Sequence, residues 1–391
     1  MMRFLRDLFA TLLRGNAAYW SWIVLLVLVA AFGGWHYLAQ LRHGLVVTNL
    51  SDQVSWGLYI GNFTFFGGIA AASIMMVIPI YVFDRDDSTD MTLLASIMAI
   101  AAIVMAMLYV LIDIGRPDRA WHMLPFIGRF NFPLSMLAWD VVVLGVYIVL
   151  TLWIFLYTLF SHYRGRQPQR RRYFALVLFT VLWAISIHTV EAFLYGGNSS
   201  RPLWNNSMMA PRFIASAFAA TPALAILTLQ VMAKCCICFV RQGVIHTLGR
   251  TMTLGLQVTL FFIGVELFTD FYNDSTHAAS IRYLFLGLGG YEALIPWIWT
   301  ALVMLILAVT ILMIGPLRRH QWLLNLACLF TVAGVWLEKG VGMVIPGFIP
   351  TPLGEVFEYS PSLTEVSISA GVLAIGLLAF TLLAKAAGRD P

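Results

Sequence analysis

Acidic side chains lie within or at the ends of strongly apolar segments of this sequence, and a histidine stands one helical turn from one of them. A carboxylate in lipid hydrocarbon costs roughly 3 kcal/mol on insertion scales, so such residues persist mainly where they face protein, water or a bound polar ligand. A histidine beside a buried carboxylate can donate a hydrogen bond and exchange protons. The residues concerned are Asp113, Asp140, His188, Glu191, Glu266 and Glu338.

Membrane-spanning helices are the elements that must position these residues. Hydrophobic residues make up 60% of the 391-residue chain and charged residues 11%. Apolar runs of about 20 residues recur throughout, as expected for helices that cross a bilayer. We predict an all-α polytopic membrane protein with a single domain over residues 1–391. Its ten helices are predicted near residues 18–39, 55–83, 91–112, 133–160, 173–195, 211–240, 249–271, 291–314, 321–345 and 363–385.

Basic residues predict the orientation of the chain, because Lys and Arg are retained on the cytoplasmic side. Most of the 24 Lys and Arg residues fall on the side that holds both termini, including Arg3, Arg85, the run 164–172 and the segment 234–250. We therefore predict a multi-pass protein of the cell inner membrane with both termini cytoplasmic. The net charge of +5 follows from this bias and gives no reason to expect nucleic acid as a partner.

The two ends of the chain are predicted to lie outside the bilayer. Residues 1–17 are expected to form an amphipathic, basic interfacial segment on the cytoplasmic side, not a cleaved signal, because no small-residue cleavage site follows a short apolar core. Residues 18–385 hold the ten helices. Residues 386–391 are expected to be a cytoplasmic tail.

This orientation places all of the acidic residues and the histidine in the outer half of the membrane. The inner half offers little that is comparable beyond Gln230 and Lys234. We therefore expect a polar chamber near the outer face that exchanges protons mainly with the outer aqueous side. Electron transfer to a partner on that side would then move no net charge across the membrane.

The predicted outer loops are long, aromatic and rich in Pro and Gly, whereas inner connections such as DRDDSTD and RRHQ are short. The outer loops cover residues 116–133, 196–212 and 339–362. An apolar surface that faces water favours a docked protein. An interfacial belt of Trp and Tyr residues is the alternative interpretation.

A family resemblance is carried by the segments WGLYIGNFTFFGGIAAA, LIDIGRPDRAWHMLPFIGRFNFPLSMLAWD, SIHTVEAFLYGGNSSRPLWNNSMMAPRFIASAF and WLEKGVGMVIPGFIPTPLGEV. Together they resemble the NrfD/polysulfide reductase membrane subunit (PsrC-like) family over residues 50–370, and within it the DsrP-type subunits of DsrMKJOP complexes of sulfur metabolism. The resemblance implies two four-helix bundles plus two extra helices. It also implies a subunit that is not catalytic alone, binds menaquinone or ubiquinone non-covalently and carries no haem.

The same resemblance implies partners for electron transfer. These are a periplasmic ferredoxin-like iron–sulfur subunit, a multihaem cytochrome c and other membrane and cytoplasmic subunits of a respiratory complex. The chain would exchange electrons between these partners and the membrane quinone pool.

His188 and Glu191 are three residues apart and therefore share a helix face. Quinone reduction takes up two protons with two electrons, so a site needs a hydrogen-bond donor and a titratable group. We predict that this pair binds quinone; a buried histidine satisfied by Glu191 is the alternative. Asp113 and Arg116, at the end of the third helix, either form an ion pair that seals the helix end or, by the resemblance, edge the quinone pocket. Both roles are compatible.

Trp56, Tyr59 and Asn62 stand at three-residue spacing at the start of the second helix. We expect them to face one way at the outer level, where an aromatic ring beside an amide suits a quinone head group. A Trp or Tyr at a helix end is more commonly part of the interfacial belt, and that alternative stays open.

Three further acids, Asp140, Glu266 and Glu338, are predicted to transfer protons. By the resemblance, Glu266 and Glu338 belong to the other bundle. Glu338 and Lys339 are adjacent, and neighbouring helical positions diverge by about 100°. We therefore expect each of them to find its partner elsewhere.

Metal and haem sites are not predicted. Cys235 and Cys238 form a C-x-x-C pattern at the end of an apolar helix, which favours small buried residues over a metal knuckle. Only His36 and His188 are placed to act as axial haem ligands, so we expect no haem absorbance from this chain. A secondary transporter or ion pathway is the alternative function, but we find no inverted repeat of the kind that transporters show.

Overall fold

The computed structural model describes residues 2–78, 88–165, 170–235, 242–273 and 278–388. Within these ranges, ten helices are long and apolar enough to cross a membrane, which confirms the predicted fold class. Arg85 and Cys238 lie outside the described residues, as do the inner ends of the second and sixth predicted helices. The helices are α1 (Met2–Leu13), α2 (Ala17–His43), α3 (Leu58–Met75), α4 (Ser88–Asp113), α5 (Met136–Tyr163), α6 (Arg170–Gly196), α7 (Met209–Lys234), α8 (Gln242–Asn273), α9 (Ala278–Leu286), α10 (Ile295–Met313), α11 (Gln321–Val335) and α12 (Leu363–Ala387).

Two four-helix bundles make up most of the molecule. In the first, α3 packs on α4 and α6, and α5 closes the ring by packing on the same two helices. In the second, α7 packs on α8 and α11, and α10 closes the ring in the same way. The bundles meet where α3 and α6 contact α7. This arrangement agrees with the predicted pair of bundles plus two extra helices.

The two extra helices, α2 and α12, pack against each other, and α12 also packs on α4. Their backbones approach closely at two glycines, because a Cβ on Gly33 would lie 2.7 Å from the Cα of Gly371. Near the end of α2, the Gln40 side chain donates a hydrogen bond of 2.7 Å to the carbonyl of Ile112. Most of the rest of α2 is exposed, as expected for a helix whose other faces meet lipid.

The helix α11 continues into one π-helical turn, Trp336–Val341, hereafter the π turn. It is followed by the short helical segments Gly342–Val344 and Pro346–Phe348. The π turn packs on α3, and the two backbones touch where a Cβ on Gly61 would lie 3.3 Å from the carbonyl carbon of Gly340. Single π turns inside α-helices are frequent at functional sites.

Two helices outside the spanning set complete the fold. The helix α1 forms within the predicted interfacial segment, and its Phe4 is buried against Phe160 and Tyr163 of α5. The helix α9 lies in a connection for which no helix was predicted. It has only nine residues, too few to span a bilayer.

Candidate functional site

A cluster of three charged or titratable side chains is buried near the outer end of the first bundle, the end where α3 begins and α6 ends. His188 and Glu191 come from α6 and Lys339 from the π turn; their exposed fractions are 0%, 1% and 3%. Lys339 Nζ lies 3.8 Å from Glu191 Oε2, and His188 Nδ1 lies 4.0 Å from the same oxygen. We call these residues the His–Glu–Lys cluster.

Two adjacent glycines of α3 make room for this cluster. A Cβ on Gly67 would lie 3.2 Å from Glu191 Oε1, and a Cβ on Gly68 would lie 2.8 Å from Lys339 Nζ. Larger residues at these positions would push the charged groups away. The Lys339 ammonium also stands 4.1 Å from the ring centroid of Phe213, a cation–π contact that partly offsets its burial.

The polar atoms of the cluster have unused hydrogen-bonding capacity. Both ring nitrogens of His188, both carboxylate oxygens of Glu191 and Lys339 Nζ are buried without a hydrogen-bond partner among the described residues. One oxygen of Asp140, on α5, is in the same situation. Buried polar atoms are almost always hydrogen-bonded. At 4.0 Å the His188–Glu191 separation is too long for a hydrogen bond, so Glu191 does not satisfy His188.

An aromatic layer separates the cluster from the outer surface. Tyr195, one helical turn after Glu191, shares a short hydrogen bond with Thr64. Trp56 stacks on Trp204 with ring centroids 5.3 Å apart, and its edge meets Tyr195 at 5.6 Å. Trp204 is itself held by a hydrogen bond of 3.0 Å from its indole nitrogen to the carbonyl of Met343. These three rings therefore pack together over the turn of α6 that follows Glu191.

A second charged group, the Arg–Glu–Glu triad, lies at the outer end of the second bundle. Arg212 of α7 donates hydrogen bonds to Glu266 of α8 and to Glu338 of the π turn. A cavity of about 20 Å³ borders the triad, which is room for about one water molecule. Glu338 therefore points into the second bundle while Lys339 points into the first, which confirms the expectation that these neighbours find separate partners.

Asp113 lies in a third polar region, between α2, α4 and α12. Its Oδ1 is buried without a hydrogen-bond partner among the described residues. The expected Asp113–Arg116 ion pair is wrong, because Arg116 forms an exposed ion pair of 2.9 Å with Asp118. Arg116 also donates a hydrogen bond to Asp118, which lowers the pKa of the Asp118 carboxyl group. The sharp turn after Asp113 carries Arg116 away from the bundle and into the loop.

Trp56, Tyr59 and Asn62 do not face a common space, contrary to expectation. Trp56 precedes the first residue of α3 and belongs to the aromatic layer. The Tyr59 hydroxyl turns toward α2 and donates to Gln40 Oε1 at 2.9 Å. The Asn62 carbonyl turns toward the π turn and accepts a hydrogen bond of 2.8 Å from the Trp336 indole. Of the three, Asn62 lies on the side of α3 that faces the π turn.

Several residues of these regions were not predicted as site residues. Arg212 was detectable as a basic residue in the first turn of an apolar helix, at the level of the acids. Glu365 was detectable from the Ser-x-x-Glu pattern that forms a capping box with Ser362. The hydroxyl of Tyr359 donates to Glu365, and burial raises the pKa of Tyr359, which keeps the phenol protonated. Lys339 stands next to Glu338 in the sequence, but no motif or spacing predicts its contact with Glu191.

Comparison with known proteins places the chain in a family. A family described as "Polysulphide reductase, NrfD" matches residues 46–349, which include both bundles, the π turn and all three polar regions apart from Glu365 and Tyr359. The chain belongs to the NrfD family. This confirms the family resemblance, and the NrfD chain is a multi-pass membrane protein.

Relatives of this NrfD chain match over almost their full length. A putative dimethyl sulfoxide reductase membrane subunit of Halobacterium salinarum is 26% identical, over 95% of this chain and 90% of its own. A selenate reductase subunit of Mesobacillus selenatarsenatis is 24% identical, over 92% of each. An Hdr-like menaquinol oxidoreductase integral membrane subunit of Archaeoglobus fulgidus is 25% identical, over 93% of this chain and 92% of its own.

Proposed function

We propose that this NrfD-family chain is the quinone-interacting membrane subunit of a multi-subunit respiratory oxidoreductase. It exchanges electrons between the membrane quinone pool and a redox partner docked at its outer end. The observation that carries the proposal is the His–Glu–Lys cluster, in which donors and proton-exchanging groups are buried together with their hydrogen-bonding capacity unused. The names of the relatives support it, since one is a menaquinol oxidoreductase subunit and two are reductase subunits.

The cluster fits the chemical requirements of a quinone head group. A bound quinone supplies redox chemistry that consumes or releases two electrons and two protons. His188 and Lys339 offer nitrogen donors without partners among the described residues, and a carbonyl oxygen can accept from either. Glu191 can hold a proton at either oxygen and pass it on. The aromatic layer excludes bulk water from this exchange, which strengthens every electrostatic interaction inside.

Asp140 is better suited to proton transfer than Glu266 or Glu338. One of its carboxylate oxygens has no hydrogen-bond partner among the described residues, and Asp140 lies on α5, which packs against the helix α6 that carries Glu191. Glu266 and Glu338 are both held by Arg212, which favours a structural role for them. The proposed proton exchange therefore stays within the first bundle.

The outer loops supply a surface for the redox partner. Large apolar side chains of the segment 121–134 are exposed. On surfaces that face water, such apolar patches mark sites of interaction with other proteins. We propose a ferredoxin-like iron–sulfur subunit as the occupant and, as the more specific assignment, a DsrP-type role beside a multihaem cytochrome c in sulfur metabolism. Co-purification of these partners tests this assignment. The exposed residues are Trp121, Leu124, Phe126, Ile127, Phe132 and Leu134.

The test of the proposed function is His188→Ala in the assembled complex. Removing the imidazole deletes a donor and proton carrier while leaving a small buried residue, so folding and assembly persist. Quinol-dependent electron transfer should fall by about a hundredfold, measured as turnover with a soluble quinol analogue. His36→Ala is the matched control, because His36 also sits in a spanning helix but contacts Phe32 on α2, away from the cluster.

The result that would overturn this role is unchanged turnover of His188→Ala in a complex with a full set of subunits. Loss of turnover in both histidine variants would point to a general loss of assembly, which size-exclusion chromatography of the complex detects. Quinone content of the purified complex gives an independent reading. It should decrease in His188→Ala and not in His36→Ala.

A further inference from the structure

A large cavity opens at the inner end of the second bundle, opposite the polar regions described above. Its volume is about 630 Å³, within the range of ligand-binding pockets. It lies between the end of α7, the beginning of α8 and the connection from α10 to α11. The polar part of its lining consists of Gln230, Lys234, Gln242, His246, Arg318, Arg319 and Gln321.

The charge of this cavity has one sign. Lys234 comes from the last turn of α7, whereas Arg318 and Arg319 come from the short helix Gly315–Arg319. No acidic side chain lines the cavity in the part of the chain that the structure describes. Arginine and lysine are donors only, so three cationic side chains converge here without a carboxylate among the described residues that would balance their charge.

Arg318 has a donor nitrogen that no acceptor in the described part of the chain satisfies. Its Nε is buried and has no hydrogen-bond partner among the described residues. A guanidinium presents its donors in a planar fork that matches the oxygens of a phosphate. Gly249 of α8 faces this side chain, since a Cβ there would lie 4.0 Å from Arg318 Cδ, and the space beside it stays open.

The beginning of α11 adds a further preference for an anion. Gln321, its first residue, lines the cavity, and the side chain of the preceding His320 makes no capping hydrogen bond. The first backbone amides of a helix lack partners within the helix and carry a partial positive charge. A phosphate group is a suitable partner for such an end.

We propose that this cavity binds a phosphate group, supplied by the headgroup of an anionic phospholipid. The general enrichment of Lys and Arg on the inner side accounts for the number of basic residues around the cavity. It does not explain a concave cavity that, within the described residues, three cations line without a carboxylate, and in which an Arg318 nitrogen is buried and unpaired. Basic pockets between spanning helices on the cytoplasmic side are suited to anionic lipid headgroups, and the apolar Ile245 and Leu324 on the same wall can contact the start of an acyl chain.

The test measures binding of two probes to the purified full-length protein. Phosphatidylglycerol is titrated into delipidated protein in neutral detergent and followed by native mass spectrometry, and inorganic phosphate is titrated by calorimetry. One phosphatidylglycerol molecule should bind tightly, and the Lys234→Gln/Arg318→Gln variant should weaken it at least about tenfold. Arg250→Gln is the matched control, because Arg250 is exposed on the neighbouring turn of α8 but does not line the cavity.

The two probes distinguish the sources of the phosphate. Saturable binding of inorganic phosphate that requires Lys234 and Arg318, without binding of phosphatidylglycerol, would keep the phosphate site but overturn the lipid as its source. Equal weakening by Arg250→Gln and by the double variant would mean general attraction by a basic face, and would overturn the site itself.

A pair of variants that keep every charge gives a second test if the double variant fails to fold. Gly249→Leu places a bulky side chain next to Arg318 and should abolish tight phosphatidylglycerol binding. Gly249→Ala adds only a Cβ at ordinary contact distance from Arg318 and should bind as the unaltered protein does. Equal binding by Gly249→Leu and Gly249→Ala would overturn the site.

Discussion

The Arg–Glu–Glu triad and the His–Glu–Lys cluster are neighbours that differ in how completely their charges are satisfied. In the triad, Arg212 hydrogen-bonds both glutamates. In the cluster, Lys339 and Glu191 stand 3.8 Å apart without a hydrogen bond. Both groups lie at the same end of the molecule, but the side chains of Arg212 and Glu266 are 15% and 11% exposed, whereas the cluster is almost completely buried. The more deeply buried group is therefore the less completely paired one.

The difference separates charges that hold the fold from charges that are available for chemistry. A buried ion pair is tolerable when good geometry and hydrogen bonds offset the desolvation of both ions, and the triad meets that condition. The cluster does not, and incompletely paired buried groups are typical of sites that await a ligand or a proton. The π turn supplies one residue to each group, so the two bundles are joined by the backbone between Glu338 and Lys339.

Arg212→Gln should have the largest effect on the molecule, because among the described residues Arg212 is the hydrogen-bond partner of the buried Glu338 and the largely buried Glu266. Breaking a buried ion pair from one side costs about 3–5 kcal/mol. We expect a strongly reduced yield of folded protein and a lower thermal unfolding temperature, measured by fluorescence-detected size-exclusion chromatography after heating.

Arg129→Gln is the control for Arg212→Gln, since Arg129 is an exposed arginine of the outer loop and its loss should leave the unfolding temperature unchanged. The triple change Arg212→Met with Glu266→Gln and Glu338→Gln removes all three charges and should recover part of the lost stability. An Arg212→Gln protein as stable as Arg129→Gln would remove the structural role from the triad.

Lys339→Gln should affect turnover more than stability, in contrast to Arg212→Gln. The Lys339–Glu191 pair already lacks a hydrogen bond, so the loss of this cation should cost less stability than the loss of Arg212. The loss of a buried donor should reduce quinol-dependent turnover by about a hundredfold. Adding Glu191→Gln to this variant restores charge balance. It should recover stability but not turnover; recovery of turnover would show that Glu191 does not exchange protons.

Gly68→Ala should have a smaller effect that acts on geometry alone. The added methyl group would lie 2.8 Å from Lys339 Nζ, so the ammonium must move, and a displacement of this kind should reduce turnover by about tenfold. Gly34→Ala is the matched control, because a Cβ on Gly34 meets no atom within 4 Å. Equal turnover of the two alanine variants would show that the position of Lys339 does not matter.

The sequence predicted the helices because hydrophobic length alone identifies spanning segments. It also predicted that Glu338 and Lys339 diverge, since that follows from the helical step. It did not predict that Arg212 joins Glu266 to Glu338, because these residues lie on three separate elements and their meeting depends on how the bundles pack. The short helix α9 has too few residues to give a clear periodic signal.

The error at Trp56, Tyr59 and Asn62 has a geometric cause. Three residues along an α-helix correspond to a rotation of about 300°, which leaves an offset of about 60° between side chains. Because α3 lies between α2 and the π turn, this offset is enough to send Tyr59 to Gln40 and Asn62 to Trp336. Similarly, the Asp113–Arg116 pair failed because the chain leaves the helix at that point, and Asp118 is nearer along the loop.

The glycine contact between α2 and α12 has a consequence for how the protein is made. These two helices come from opposite ends of the described chain, yet Gly33 and Gly371 bring their backbones together, and Trp22 donates a hydrogen bond to Thr381. During synthesis, α2 enters the membrane long before its partner exists, so it must wait in lipid while the other spanning helices are inserted. Gln40 can bond to α3 and α4 as soon as these helices are inserted, but the insertion of α12 is the step that completes the packing of α2.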